Sequence, residues 1–111
     1  MSGPLEGKRI ALIGGGTMGE AIIRGLLQRN VVSAGQIVVS EPVAERRAAL
    51  QEALGVHCTA DNAEAVQGAD VIIFAVKPQV LNDVLSGLRG HVSPRSLVMT
   101  IVAGAQIAAF A

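Results

Sequence analysis

Hydrophobic and polar positions along the chain switch repeatedly between two patterns. Short apolar runs occupy residues 9–13, 36–40, 56–58, 71–76 and 97–102, each bounded by glycine, proline or a polar cluster. Runs of this length between turn residues predict buried strands. The stretches between them carry helical spacing instead. In "TMGEAIIRGLLQRN", Met18, Ala21, Ile22, Gly25 and Leu26 recur on one predicted face. Its small members, Ala21 and Gly25, are expected to let the backbone lie close to the sheet. "VAERRAALQEAL" combines strong helix formers with a charged outer side, and Gly55 stands at its expected C-terminal stop. Asp61 is placed to cap "NAEAVQG", and Pro78 to open "PQVLNDVLSGL" at its first turn.

The order reads βαβαβαβαβα, which predicts an α/β fold: a parallel sheet covered on both faces, doubly wound by right-handed crossovers. Residues 1–7, rich in Gly, Pro and Ser, read as a disordered lead-in, and 8–111 as one domain without internal repeat or linker. The last stretch, "AGAQIAAFA", starts an apolar helix through Ile107 and Phe110. Such a helix needs a partner. The expectation is therefore a fragment of a longer protein, prone to associate through that end.

Composition narrows the choice of function. At 111 residues and 50% apolar, the chain fills a core without disulfide or metal. Its aromatics are Phe74 and Phe110 alone, so the core must be aliphatic, as buried parallel strands usually are. Nine basic and nine acidic residues cancel. Without a basic excess or stacking platforms, nucleic-acid binding is excluded. The single Cys58 forms no internal disulfide, and no metal-ligand spacing occurs. No apolar run approaches the roughly 20 residues of a membrane span, and "MSGPLEGK" has no signal-like apolar core. A cytoplasmic protein away from membranes is expected.

The chemistry concentrates at the first strand's end. Gly14, Gly16 and Gly19 give G-x-G-x-x-G directly after a predicted strand and at the start of a predicted helix, the context of a dinucleotide fingerprint. Gly14 permits the tight turn, Gly16 lets backbone approach a pyrophosphate, and Gly19 packs helix on strand. The helix N-terminus near Thr17 and Met18 would face the anion. The competing reading is a glycine-rich turn serving chain reversal alone. Against it stands Glu41, at the end of the second strand, where an acidic residue is expected to meet the ribose hydroxyls. There it would also repel a 2′-phosphate. Arg46 and Arg47 follow in the next helix, and helical geometry lets at most one of them face that pocket.

Two other stretches reach the same crevice. Pro78 biases Lys77 away from helix, which places Lys77 at the C-terminal edge of the fourth strand. Val102, Ala103 and Gly104 would occupy that edge on the fifth, with room for a flat ring. Both also read as ordinary strand ends. His57 reads as a structural residue of the third strand, His91 as a loop residue, and Cys58 has no basic neighbour in sequence.

"IGGGTMGEAII", "TADNAEAVQGADVIIFAVKPQ" and "LVMTIVAGAQI" resemble the N-terminal half of pyrroline-5-carboxylate reductases, and the resemblance runs essentially from Lys8 to the end. "AVKPQ", followed at the next strand by "AG", is its most particular part. The resemblance implies a Rossmann-type domain that binds NADP or NAD, the reduced form being the hydride donor. By position it implies cofactor contacts at Ile13, Gly14, Gly16, Thr17, Met18 and Gly19. It adds contacts at Ser40, Glu41 and Asn62, at Ala75, Val76, Lys77 and Pro78, and at Ile101, Val102 and Ala103. The reaction implied is reduction of 1-pyrroline-5-carboxylate, a small imine, to L-proline. A protonated imine needs no strong catalytic acid, and no catalytic residue is assigned here. The family's helical second half, which builds the homo-oligomer and most of the substrate site, has no counterpart in these residues. Family members often carry small polar residues after the second strand. Glu41 departs from them, so the enzyme is expected to accept NADH at least as readily as NADPH. Two other readings fit the glycine loop: a β-hydroxyacid dehydrogenase-like enzyme, and a module that senses NAD(H) without turnover.

Overall fold

A computed structural model describes residues 6–101. The elements run β1 (Ile10–Ile13), α1 (Thr17–Gln28), a 3₁₀ turn (Ala34–Gln36), β2 (Ile37–Ser40), α2 (Ala44–Leu54), β3 (His57–Thr59), α3 (Asn62–Val66), β4 (Val71–Phe74), α4 (Pro78–Gly87) and β5 (Leu97–Thr100). The five strands form one parallel sheet in the order β3-β2-β1-β4-β5. The expected doubly wound α/β fold is present.

Strand alternation explains how the sheet holds two cores. Ile10 and Leu12 of β1 and Val71 and Ile73 of β4 join one cluster, with Ile23 of α1 and Leu50 of α2. The intervening residues, Ala11, Ile13, Ile72 and Phe74, join the other, with Ala65 and Val66 of α3 and partly buried Leu81 and Val84 of α4. β1 and β4 are therefore apolar on both faces, as covered parallel strands must be, while β5 at the sheet's edge is exposed. Helices α1 and α2 lie on one side and α3 and α4 on the other. The winding direction consequently reverses between β1 and β4, and such a reversal opens a crevice at the C-terminal strand ends.

Several expectations shift in detail. The buried face of α1 is Gly19 and Ile23, backed by Ile22, Leu26 and Leu27, while Met18 is 37% exposed and Ala21 is also exposed. Gly25 faces open space, so its smallness permits no close approach among the described residues. The close approach lies instead at Gly19, where any Cβ would collide with the Gly14 carbonyl oxygen. β2 begins at Ile37 rather than residue 36, because Ser33 and Gln36 close a capping box around the 3₁₀ turn. β3 lies one residue later than its pattern implied, since Gly55 ends α2 in the left-handed region (φ 71°) and Val56 only leads into the strand. β4 stops at Phe74 because the chain must turn out to present Pro78 at the start of α4. β5 is likewise shorter, ending at Thr100. The predicted lead-in up to residue 5, the terminal helix with Ile107 and Phe110, and Val102, Ala103 and Gly104 lie outside the described residues.

Candidate functional site

The sheet register brings the C-terminal strand ends into one row. Ile13 pairs with Ser40 and with Phe74, Ser40 with Thr59, and Phe74 with Thr100. One residue further on, backbone hydrogen bonds continue the row. Gly14 N–H donates to Ser40 O (2.9 Å), Glu41 N–H to Thr59 O (2.9 Å), Ala75 N–H to Ile13 O (2.8 Å) and Ile101 N–H to Phe74 O (2.8 Å). Predicted site residues from four separate stretches thus meet at one edge, although up to 88 positions separate Ile13 from Ile101 in the chain.

The three motif glycines have three different environments. Gly14 has φ 109°, and a Cβ there would sit 2.5 Å from the Ala75 carbonyl oxygen. At Gly19 a Cβ would collide with the Gly14 carbonyl oxygen. Both are demanded by the protein's own backbone. Gly16 is different: a Cβ there would meet nothing within 4 Å. Gly16 is also the N-cap of α1, and it offers no side-chain hydrogen bond to the first turn. The N–H groups at a helix start need an acceptor, and an anion suits them. Thr17 and Met18, at the first two positions, are exposed beside that space. The geometry therefore fits a pyrophosphate at Gly16.

Below the loop lies a groove of about 250 Å³, lined by Ile13, Gly14, Ser40, Pro42, Ala60, Asn62, Val76, Val80 and Val84. Its walls are mostly apolar. The Ser40 hydroxyl donates to Asn62 Oδ1, which pins the carbonyl end of that amide and turns the NH2 end elsewhere. An apolar slot with a few fixed polar groups is what a nucleoside requires. A cavity of similar size, about 270 Å³, opens among Arg9, His57, Glu64 and Gly68 at the other edge. Size alone does not choose between them. Of the two, the first borders the glycine loop, at Gly14.

Glu41 is turned away from solvent. It is 7% exposed, and its two carboxylate oxygens accept from Gly15 N–H and from Val43 N–H, both at 2.9 Å. Stranding two such N–H groups would cost about 1–3 kcal/mol each, and ribose hydroxyls would at best restore an equal pair of bonds. In this arrangement both Glu41 carboxylate oxygens are engaged by backbone of the loop and of the turn after β2. The arginines are engaged as well. Arg46 Nε donates to Gly15 O (2.5 Å) and its Nη2 pairs with Glu20 (2.6 Å). Arg47 Nη1 donates to the carbonyls of Glu41 (2.7 Å) and Pro42 (3.0 Å). Hydrogen bonds from Arg24 first, then Arg46, hold the Glu20 carboxyl below its ordinary range. Burial pushes the Cys58 thiol up, against the opposing field of Arg47.

Lys77 caps α4 in extended conformation (φ −66°, ψ 148°) and is exposed, as is Pro78, while Ala75, Val76 and Ile101 are half-buried. His57 and His91 are exposed and stand apart from the crevice. Sequence reasoning missed the clamp of Arg46 on Gly15, the Ser40–Asn62 pair, and the groove walls at Pro42, Ala60, Val80 and Val84. The first two join positions 31 and 22 residues apart, which no local spacing signals. The spacing of Val80 and Val84 at i, i+4 was visible, but not which wall they form.

Residues 9–104 match the family described as NADP oxidoreductase, coenzyme F420-dependent. The pyrroline-5-carboxylate reductase of Methanosarcina acetivorans is 35% identical over 106 residues, taking in 96% of this chain and 39% of the relative. That of Pseudomonas aeruginosa is 41% identical over 96 residues, with 86% and 35% covered. The solved pyrroline-5-carboxylate reductase of Coxiella burnetii superposes with a TM-score of 0.80 at 33% identity, over 87% of this chain and 36% of that one. The chain spans a little over a third of the length of these relatives. The resemblance seen in the sequence is thus met among curated and solved proteins. By its match across almost the whole described domain, the chain belongs to the NADP oxidoreductase, coenzyme F420-dependent family.

Proposed function

We propose that this chain is the cofactor-binding part of a pyrroline-5-carboxylate reductase and holds NADPH or NADH across the crevice at the strand ends. The observation that carries the reading is the cradle at Gly16, where a Cβ would meet nothing, set at a helix start without a side-chain cap. The curated relatives' names support the choice of reductase over the β-hydroxyacid dehydrogenase and sensor readings. The bound cofactor would supply a hydride to the C=N carbon of a small cyclic imine. The chain's own residues bind and orient. Gly16, Thr17 and Met18 offer backbone N–H groups to the pyrophosphate, and Gly14 and Gly19 shape the turn that presents them. Ser40 and Asn62 face the nucleoside in the apolar groove. Ala75 to Pro78 and Ile101, with Val102 and Ala103 beyond it, edge the remainder of the cofactor. Proline biosynthesis, a cytoplasmic location and a homo-oligomer of the whole enzyme follow from the same reading.

Calorimetric titration of the 111-residue chain with NADPH and with NADH tests it. One-to-one binding is expected, and no proline when the imine is added. Orienting both reactants is worth about 7–11 kcal/mol, and a domain that holds only the donor cannot supply it. Absence of binding to either cofactor contradicts the reading.

A further inference from the structure

We propose that Glu41 and Arg46 are positioning residues that clamp the Gly15 peptide from both sides, and that Glu41 does not discriminate NADH from NADPH. This rests on the proposed dinucleotide site. The Gly15 peptide lies between the two motif glycines that shape the turn and the anion cradle. Its N–H donates to Glu41 Oε1 and its carbonyl accepts from Arg46 Nε. Both partners come from the segment after β2, so one short stretch grips the loop's backbone at two points. The grip extends into α1, because Arg46 also pairs with Glu20 in that helix's first turn, and Glu20 pairs with Arg24. The clamp therefore fixes the loop relative to the helix start that faces the anion.

Sterics leave the carboxylate little freedom. A Cβ on Gly15 would lie 3.0 Å from the Glu41 Cβ and 2.9 Å from Leu50 Cδ1, so the Glu41 stem is packed directly beneath the loop. Its second oxygen is bound by Val43 N–H at the start of α2. A carboxylate spent on two backbone donors at 7% exposure is not presented to a ribose or to a 2′-phosphate. The usual acidic reader of the ribose is present in sequence and turned to another task.

The two roles give opposite signatures in binding. Dissociation constants for NADPH, NADH and 5′-ADP are measured by calorimetry on the full chain and on Glu41→Ala, Glu41→Gln, Arg46→Ala and Arg46→Lys. The fitted stoichiometry reports the folded fraction, so a variant that merely loses stability shows fewer sites at unchanged affinity. For Glu41→Ala and Arg46→Ala the clamp predicts a loss of about tenfold, shared by both cofactors and by ADP. The NADPH to NADH ratio stays within about threefold. Glu41→Gln, which keeps one acceptor, and Arg46→Lys, which keeps one donor, recover part of the loss. A Glu41→Ala variant that gains about tenfold on NADPH relative to NADH overturns the proposal, because the carboxylate then reads the ribose. Unchanged affinities in all four variants overturn it too. If the parent chain binds neither cofactor, the dinucleotide reading itself has failed.

Discussion

The two flanks of the crevice are built differently. On the β1–β2 side, polar side chains tie the backbone down: Glu41 and Arg46 hold Gly15, Arg47 holds the turn carbonyls, and Ser40 holds Asn62. On the β4–β5 side, among the described residues, backbone bonds from Ala75 and Ile101 continue the sheet. There Lys77, Pro78 and Gln79 are exposed, α4 buries no residue fully, and Leu97, Val98 and Met99 of β5 are 60%, 46% and 45% exposed. The difference teaches which part of a ligand this domain prepares for by itself. The side with the glycine loop is cross-tied by side chains of this chain itself. The other flank is an open edge among the described residues.

The largest effect should come from the glycine that the cross-tied flank cannot spare. Gly14→Ala forces a side chain into a positive-φ position against the Ala75 carbonyl, and a stability loss of about 3 kcal/mol is expected in denaturant titration. An unchanged midpoint would mean the turn is looser than the comparison holds. Gly16→Val should do the reverse within the same motif. Its side chain enters open space, so stability stays within about 0.5 kcal/mol while cofactor affinity falls about a hundredfold. Equal losses of stability in both variants would erase the distinction between a glycine kept for the fold and one kept for the ligand.

The smallest effect sharpens the clamp. The Glu20 carboxyl sits below its ordinary range because Arg24 and Arg46 hydrogen-bond it. A depressed carboxyl contributes stability above its unfolded pKa and loses it as pH falls through the folded one. Glu20→Gln should therefore be slightly less stable than the parent at neutral pH, with the gap closing below about pH 4.5. A gap that persists in acid would assign the difference to packing rather than to the ion pair.

Much of this was legible along the chain. Apolar runs punctuated by glycine and proline gave the succession of strands along the chain and the burial of β1 and β4 on both faces. Buried parallel strands are continuously hydrophobic, whereas β5 is exposed along its length. The glycine spacing gave the loop. Element edges were less legible: the Ser33–Gln36 box and the left-handed Gly55 decide where β2 and β3 begin, and both are geometric facts that apolar patterning does not carry. The face of α1 was misjudged in part. Ile22 and Leu26 of the expected stripe do pack on the core, but Met18 and Ala21 are exposed, and Gly19 and Ile23 are the residues fully buried. Glu41 was found at the right place, but the direction of its side chain depends on Gly15, 26 positions away.

Amide shift mapping by two-dimensional NMR tests the central claim most directly, because it reads both edges of the sheet in one titration. With NADPH added to the isotope-labelled chain, the largest shifts are expected at the glycine loop, from Gly14 to Met18, and at Asn62. Smaller shifts are expected along Ala75 to Lys77, and none at Arg9, His57 and Gly68 around the opposite cavity. Shifts concentrated at Arg9, His57 and Gly68, with the loop silent, would contradict it.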